Sequence, residues 1–219
     1  MGGQQHSTLA TRCQAPSGIT SSGLGPRVGS FDEAQGLANK AWTSVKLSWD
    51  EVALPAGTPQ MIYVQRTALC TQSLAILAWS CAARSWDDKP LLAALAAEAI
   101  ARIQQFTQQN LSNIAWAFAR FEFRNLPLMA SIAASSIARI TSYANQGLAN
   151  TAWAFAKLLL ADAPLLAAIS SASIPRINDC HPQNFAMIAW AASKLEFKDM
   201  PLLDAISEAS LRRLSQFGA

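Results

Sequence analysis

The sequence predicts an all-α fold, an α-solenoid of about 4.5 to 5 tandem helical hairpins. Three residue types recur along the chain at a fixed period of 37 residues. They are the tryptophans Trp42, Trp79, Trp116, Trp153 and Trp190, the glutamines Gln35, Gln72, Gln109, Gln146 and Gln183, and the prolines Pro90, Pro127, Pro164 and Pro201. A period of this length is typical of stacked repeats, in which each unit buries its apolar side only against its neighbours.

The first helix of each unit carries the recurring tryptophan. We predict it at 72–84, 109–121, 146–158 and 183–195, with a divergent copy at 35–47. In the 146–158 copy, Leu148, Ala152, Phe155 and Leu159 are spaced at i, i+4, i+7 and i+11, so they share one face of a helix. The alanines beside Trp153 allow the indole to lie across a neighbouring helix without forcing the backbones apart.

The second helix of each unit begins near the recurring proline. Asp88, Asn125, Asp162 and Asp199 each stand two residues before it, where a carboxylate or carboxamide can cap the first turn and proline is tolerated. An apolar stripe at helical spacing follows, in the first case Leu92, Leu95, Ala99, Ile100 and Ile103. Phe106, Tyr143, Cys180 and Phe217 mark the junctions to the next unit.

The chain divides into two regions. Residues 1–31 are rich in Gly and Ser, and no acidic residue precedes Asp32, which indicates either a transit segment for an organelle or the disordered tail of a cytoplasmic protein. Residues 32–219 form the solenoid, with units at about 32–69, 70–106, 107–143, 144–180 and 181–219. The first unit is degenerate, because Pro55 and Pro59 restrict its second helix to about 58–69.

The overall composition narrows the class of protein. Hydrophobic residues make up 51% of the chain and charged residues only 14%, so a large core can be buried. No apolar run approaches the length of about 18 residues that spans a bilayer, so membrane insertion is not expected. The net charge of +3 is mildly basic and does not by itself indicate a nucleic-acid binder.

A second stripe on the first helix is the candidate binding surface. Its pattern is a glutamine, an amide at i+4, a small residue at i+8 and a cation at i+11, from which two copies depart, one with Ile76 and Ala83 and the other with Met187. The candidate RNA-binding residues are Gln35, Asn39, Lys46, Gln72, Gln109, Asn113, Arg120, Gln146, Asn150, Lys157, Gln183 and Lys194, and a secondary basic ladder on the second helices contains Arg102, Arg139, Arg176 and Arg213. Repeated cations suit the phosphates of RNA, and amides that vary between units suit base edges.

Two other interpretations fit the same pattern. The amides can hydrogen-bond between adjacent helices and hold the stack in register, while the small residue permits close helix approach. The surface formed by the first helices can also bind a peptide or a protein partner. An enzyme is not expected, since the sequence has no Gly-rich phosphate loop, G-x-S-x-G or H-E-x-x-H motif. We predict no catalytic residues, no metal site and no cofactor.

The string Q-x-L-A-N-x-A-W-A-F-A-K-L, followed by P-L-L and a second helix ending in L-R-R-L, resembles the octotricopeptide repeat. The resemblance covers residues 35–47 and about 70–217. It implies an RNA-binding α-solenoid of a mitochondrion or plastid that acts on RNA stability, processing or translation. We predict that the chain binds RNA, in single-stranded segments or in structured form. The unit here is slightly shorter than the usual one, and five units read only a few nucleotides. The alternative is therefore a scaffold, a structural subunit of a ribosome or another large organellar complex.

Overall fold

The computed structural model describes residues 69–85 and 87–217 together with Gly36, and it describes side chains as far as Arg212. The predicted unit at 32–69 and the segment 1–31 lie outside the described residues. The described residues form helices joined by short turns. The helices are α1 (Thr71–Ala83), α2 (Lys89–Ala101), α3 (Gln108–Arg120), α4 (Leu126–Ile137), α5 (Asn145–Lys157), α6 (Ala163–Ser173), α7 (Pro182–Lys194) and α8 (Met200–Phe217), with short 3₁₀ segments at Ile103–Gln105, Ile140–Ser142 and Ile174–Asp179.

The helices form two rows. The first helices of the hairpins, α1, α3, α5 and α7, pack side by side in chain order, and their mutual interfaces are the most extensive among the described helices. The second helices, α2, α4, α6 and α8, form a parallel row with lighter contacts between neighbours. This arrangement is the predicted α-solenoid. Among the described helices, none combines the length and apolar content needed to cross a bilayer.

The predicted caps of the second helices are confirmed. Each capping oxygen accepts a hydrogen bond from a backbone amide three residues later, at 2.9–3.0 Å. The pairs are Asp88 with Leu91, Asn125 with Leu128, Asp162 with Leu165 and Asp199 with Leu202. The proline occupies the first turn, where its missing N–H costs nothing.

The first helices run one residue ahead of the predicted ranges and end in a left-handed turn. Ser85, Glu122, Leu159 and Glu196 follow these helices with φ between 52° and 55°. At the third of these turns, the amide of Leu160 donates to the carbonyl of Phe155 at 2.9 Å, which closes the helix end. The prediction that Leu159 belongs to the core is wrong: α5 has already ended, and the side chain is 58% exposed.

The core lies between the two rows. Leu148, Ala152 and Phe155 are buried there as predicted. The junction residues Phe106, Tyr143 and Cys180 are also buried, while the side chain of Phe217 lies outside the described part. The hydroxyl of Tyr143 forms a buried hydrogen bond of 2.6 Å with the hydroxyl of Ser136, so each of these two buried hydroxyls has a partner.

Candidate nucleic-acid interface

The first row of helices presents one repeated set of side chains at its surface, which we call the indole face. Each helix contributes four positions, at i, i+4, i+7 and i+11. The indole face contains Gln72, Ile76, Trp79 and Ala83 on α1; Gln109, Asn113, Trp116 and Arg120 on α3; Gln146, Asn150, Trp153 and Lys157 on α5; and Gln183, Met187, Trp190 and Lys194 on α7. All sixteen side chains are half-buried or exposed, so the face is accessible.

Three of the four tryptophans, Trp79, Trp116 and Trp153, form a continuous row across the face. The ring centroids of Trp79 and Trp116 lie 6.2 Å apart with 32° between their planes. Those of Trp116 and Trp153 lie 6.3 Å apart with 30° between their planes. Trp116 and Trp153 also contact the core with part of each ring, so their orientation is fixed from below while the remainder of the indole stays accessible.

The small residue predicted for the binding stripe lies elsewhere. Ser80, Ala117, Ala154 and Ala191 are buried between neighbouring helices. Helical geometry gives the reason: at about 100° per residue, position i+7 returns to within about 20° of position i, whereas i+8 is displaced by about 80°. The tryptophan therefore takes the surface position, and the small residue permits close helix approach, which was one of the two interpretations left open.

The amides of the central units are available to a ligand. The carboxamides of Gln109, Asn113, Gln146 and Asn150 make no hydrogen bond within the part of the chain that the structure describes. Gln109 accepts a bond only through its backbone carbonyl, from Ser112. The alternative in which these four amides hold the stack in register through bonds between helices therefore does not apply to them. Each retains donor and acceptor capacity that a base edge can use.

The three described cations of the face differ in their surroundings. Lys157 reaches across to the preceding unit, where its Nζ lies 2.7 Å from Glu122 Oε1. This hydrogen bond and the charge of Lys157 hold the pKa of the Glu122 carboxyl below its ordinary value. Arg120 lines a shallow pocket with Asp87 and Ser85. Lys194 forms no ion pair with any described residue, and Lys46, with Gln35 and Asn39, lies outside the description.

The secondary basic ladder does not join the indole face. Its described members extend back to the preceding unit and donate hydrogen bonds to backbone carbonyls at the junction. Arg102 donates to Leu69 at 2.5 Å, Arg139 to Phe106, and Arg176 to Tyr143 at 2.7 Å. Arg139 and Arg176 each donate a second bond, of 3.0–3.1 Å, to a carbonyl two residues before the first. These arginines join consecutive units, and the side chain of Arg213 lies outside the described part.

Sequence reasoning missed this joining role, although a signal for it was present. Each arginine lies 33 residues after the junction residue whose carbonyl it contacts, and both recur with the repeat. A cation that recurs beside a recurring junction can bond to that junction instead of a ligand, because the last carbonyls of a helical segment lack partners within it.

The His, Cys, Asp and Glu side chains of the described region are dispersed. It contains no group of three His, Cys, Asp or Glu side chains placed to hold a metal ion. Burial raises the pKa of the Cys81 thiol to about 12, so the thiol stays protonated at neutral pH and is a poor nucleophile.

Comparison with known protein families supports a connection with RNA. Residues 85–201 match a protein-family model described as RNA-editing substrate-binding complex 6 protein. The matched segment extends from the turn after α1 to the start of α8, and thus includes three of the tryptophans on the indole face. No curated protein matches the chain.

Proposed function

The chain belongs to the family of RNA-editing substrate-binding complex 6 proteins, whose model matches more than half of its length, and from this we propose that its indole face binds RNA. The family description refers to a complex that binds the substrates of RNA editing. A member of such a complex requires either a surface for RNA or a surface for other subunits. The indole face has the chemistry for the first.

The observation that carries the proposal is the row of indoles flanked by unbonded amides and cations. A base stacked on an aromatic side chain contributes about 1–3 kcal/mol to binding, whatever its identity. Trp79, Trp116 and Trp153 offer three adjacent rings at 6.2–6.3 Å. This spacing exceeds the rise of about 3.4 Å per base within a duplex strand, which favours an unstacked, single-stranded segment.

The amides and cations of the indole face suit the base edges and phosphates of RNA, respectively. Asn113 and Asn150 lie beside the indoles, where a carboxamide can pair with the donor and acceptor groups of a base edge. Arg120, Lys157 and Lys194 stand at the other end of the helices, where phosphates along the strand can be neutralised. Lys157 must exchange Glu122 for phosphate, so we expect it to contribute less than Lys194.

The resemblance to the octotricopeptide repeat and the low-acid composition of residues 1–31 support an organellar location, in a mitochondrion or plastid. We propose that the chain acts there on RNA processing, stability or translation by holding the RNA, and that it performs no catalytic step. No cofactor or metal is required for this role.

Substitution of the three cations of the indole face tests whether this face binds RNA. We expect the triple variant Arg120→Gln, Lys157→Gln, Lys194→Gln to bind a labelled single-stranded RNA of about 12 nucleotides more weakly, with a flatter salt dependence by about one slope unit per lost contact. The measurement is fluorescence anisotropy at several salt concentrations. The control replaces Lys89 and Arg212, two exposed cations of α2 and α8, by glutamine. An isotherm that is unchanged in the triple variant contradicts the proposal.

A second candidate function is a scaffold within a large organellar complex. The observation that favours it is the exposed apolar surface at the end of the array formed by α7 and α8, where Trp190, Leu203 and Leu211 are 43%, 38% and 68% exposed. The two surfaces share Trp190 and are otherwise different, so both functions are compatible in one protein.

A further inference from the structure

The surface that α7 and α8 turn away from α5 and α6, which we call the end surface, repeats the residues of the interfaces inside the array. Within the solenoid each first helix presents three small residues to the helix that follows it. They are Ala75, Ala78 and Ala82 on α1; Ser112, Ala115 and Ala119 on α3; and Ala149, Ala152 and Ala156 on α5, all of which are buried.

The corresponding residues of α7 are Ala186, Ala189 and Ser193. The type of residue is retained, but Ala186 and Ser193 are exposed and Ala189 is half-buried. The same change occurs in the second row, where Leu166 of α6 is buried and its counterpart Leu203 of α8 is 38% exposed. The end surface is thus an inter-unit interface without a described neighbour.

Its composition argues against a solvent-facing cap. A terminal repeat that faces water carries polar side chains on its outer side. The end surface instead combines small residues with Trp190, Leu203 and Leu211, which are among the most exposed large apolar side chains of the described region. Small residues flanked by large apolar ones suit close packing of a helix.

We propose that the end surface binds a helical hairpin of a partner protein, built like the hairpins of this chain. The surface is continuous with the established interfaces between units, so a hairpin with small residues along its first helix can occupy it in the same way that α7 occupies α5. Trp190 adds a selective element, because its ring is 43% exposed and it is the counterpart of Trp79, Trp116 and Trp153, whose rings lie 6.2–6.3 Å apart between consecutive units. A tryptophan of the partner hairpin can pack against the Trp190 ring in a similar way. The proposal is independent of RNA binding.

The test is site-specific crosslinking. The full chain carries a photoreactive benzoyl-phenylalanine in place of Ser193, is expressed in its native cells, irradiated and digested, and the attached segment is identified by mass spectrometry. We expect that segment to belong to a different protein, to lie in a helix of a tandem helical hairpin, and to contain small residues at helical spacing near a tryptophan.

Two variants make the result specific. Ala186→Lys places a charge in the end surface, and we expect it to lower the yield of this adduct at least tenfold. Ala167→Lys is the matched control, since Ala167 is exposed on the outer side of α6 and lies outside the end surface; its adduct yield stays unchanged. Neither variant removes a residue of the indole face, so we expect neither to weaken RNA binding, and failure of this proposal is distinguishable from failure of the RNA proposal.

Every other outcome overturns the proposal. An adduct with another segment of this chain, or with a second copy of it, assigns the end surface to the chain's own repeats. An adduct with RNA assigns it to nucleic acid. A segment that is not part of a helical hairpin, a yield that Ala186→Lys leaves unaltered, or the absence of any adduct excludes the proposed partner.

Discussion

The indole of Trp116 lies 6.3 Å from that of Trp153, centroid to centroid, with 30° between the ring planes. The two residues belong to consecutive units, so the contact exists only because the units stack in parallel with equivalent positions aligned. Trp79 extends the row on the other side of Trp116. The central indole is therefore the one whose removal interrupts the row of aromatic surface across the array.

Replacing Trp116 by leucine tests the stacking role. Leucine preserves much of the apolar contact with the core but offers no aromatic surface, so we expect RNA affinity to fall by about 1–3 kcal/mol. Trp116→Phe retains a ring and should retain part of the affinity. Anisotropy measures the binding, and circular dichroism checks that both variants are helical. If the leucine variant folds and binds as tightly as the parent, RNA does not stack on this residue.

Replacing Arg139 by methionine tests its role in joining the units. Its guanidinium donates to the carbonyls of Phe106 and Gln104, and hydrogen bonds to charged groups contribute about 1.5–3 kcal/mol. Since the side chain is half-exposed, we expect the free energy of unfolding in urea to fall by about 2 kcal/mol. Arg120→Met is the matched control and should change stability by less than about 0.5 kcal/mol.

The two arginine variants should separate clearly in RNA binding as well. Arg120→Met is expected to weaken it, whereas Arg139→Met should leave it unchanged at temperatures where the variant is folded. A stable Arg139→Met protein that binds RNA poorly would instead assign Arg139 to the RNA interface.

The buried pair of Ser136 and Tyr143 permits a double-mutant cycle. Ser136→Ala or Tyr143→Phe alone leaves one buried hydroxyl without its partner at 2.6 Å, and we expect each to cost about 1–2 kcal/mol of stability. The double variant recreates the apolar Ala99 and Phe106 of the preceding unit. Its cost should fall below the sum of the single costs by about 1 kcal/mol, measured by urea unfolding. Additive costs would show that the hydrogen bond contributes nothing to stability.

The lowered pKa of the Glu122 carboxyl predicts how the stability of the folded protein depends on pH. Its pKa in the folded protein is lowered, chiefly by the hydrogen bond from Lys157 and then by the charge of Lys157. The stabilising contribution of the pair is thus present above the ordinary carboxyl pKa and is lost as pH falls through the lowered pKa. In an NMR titration, Lys157→Met should raise the pKa of Glu122 towards its ordinary value. Lys194→Met is the control and should leave it in place, since Lys194 forms no described ion pair.

The periodic features of this fold could be predicted from the sequence because they depend on local chemistry. Asp162 caps α6 and Pro164 sits in its first turn, as the spacing indicated. Leu159 was assigned to the core because its spacing continued the apolar stripe, but the turn after α5 takes a left-handed backbone at that residue. The end of a helix depends on the backbone of a few residues, which periodicity does not report.

The candidate site was predicted in part for a similar reason. Gln146, Asn150 and Lys157 share one helix face, as expected, but the position between the amides and the cation belongs to Trp153 rather than Ala154. A tryptophan in an apolar stripe looks like a core residue in a single helix. Only the stacking of several units shows that the indoles of Trp79, Trp116 and Trp153 pack against one another at the surface. The role of the arginines in the second row likewise depends on contacts with a neighbouring unit.

The arginine bonds at the junctions run in one direction along the chain. Arg102, Arg139 and Arg176 each bond to the unit that precedes them, 33 residues earlier. During synthesis, the carbonyl at a junction can therefore gain its guanidinium donor only after the following hairpin has been made, and until then it can bond to water. Each unit thus completes the hydrogen bonding of the one made before it.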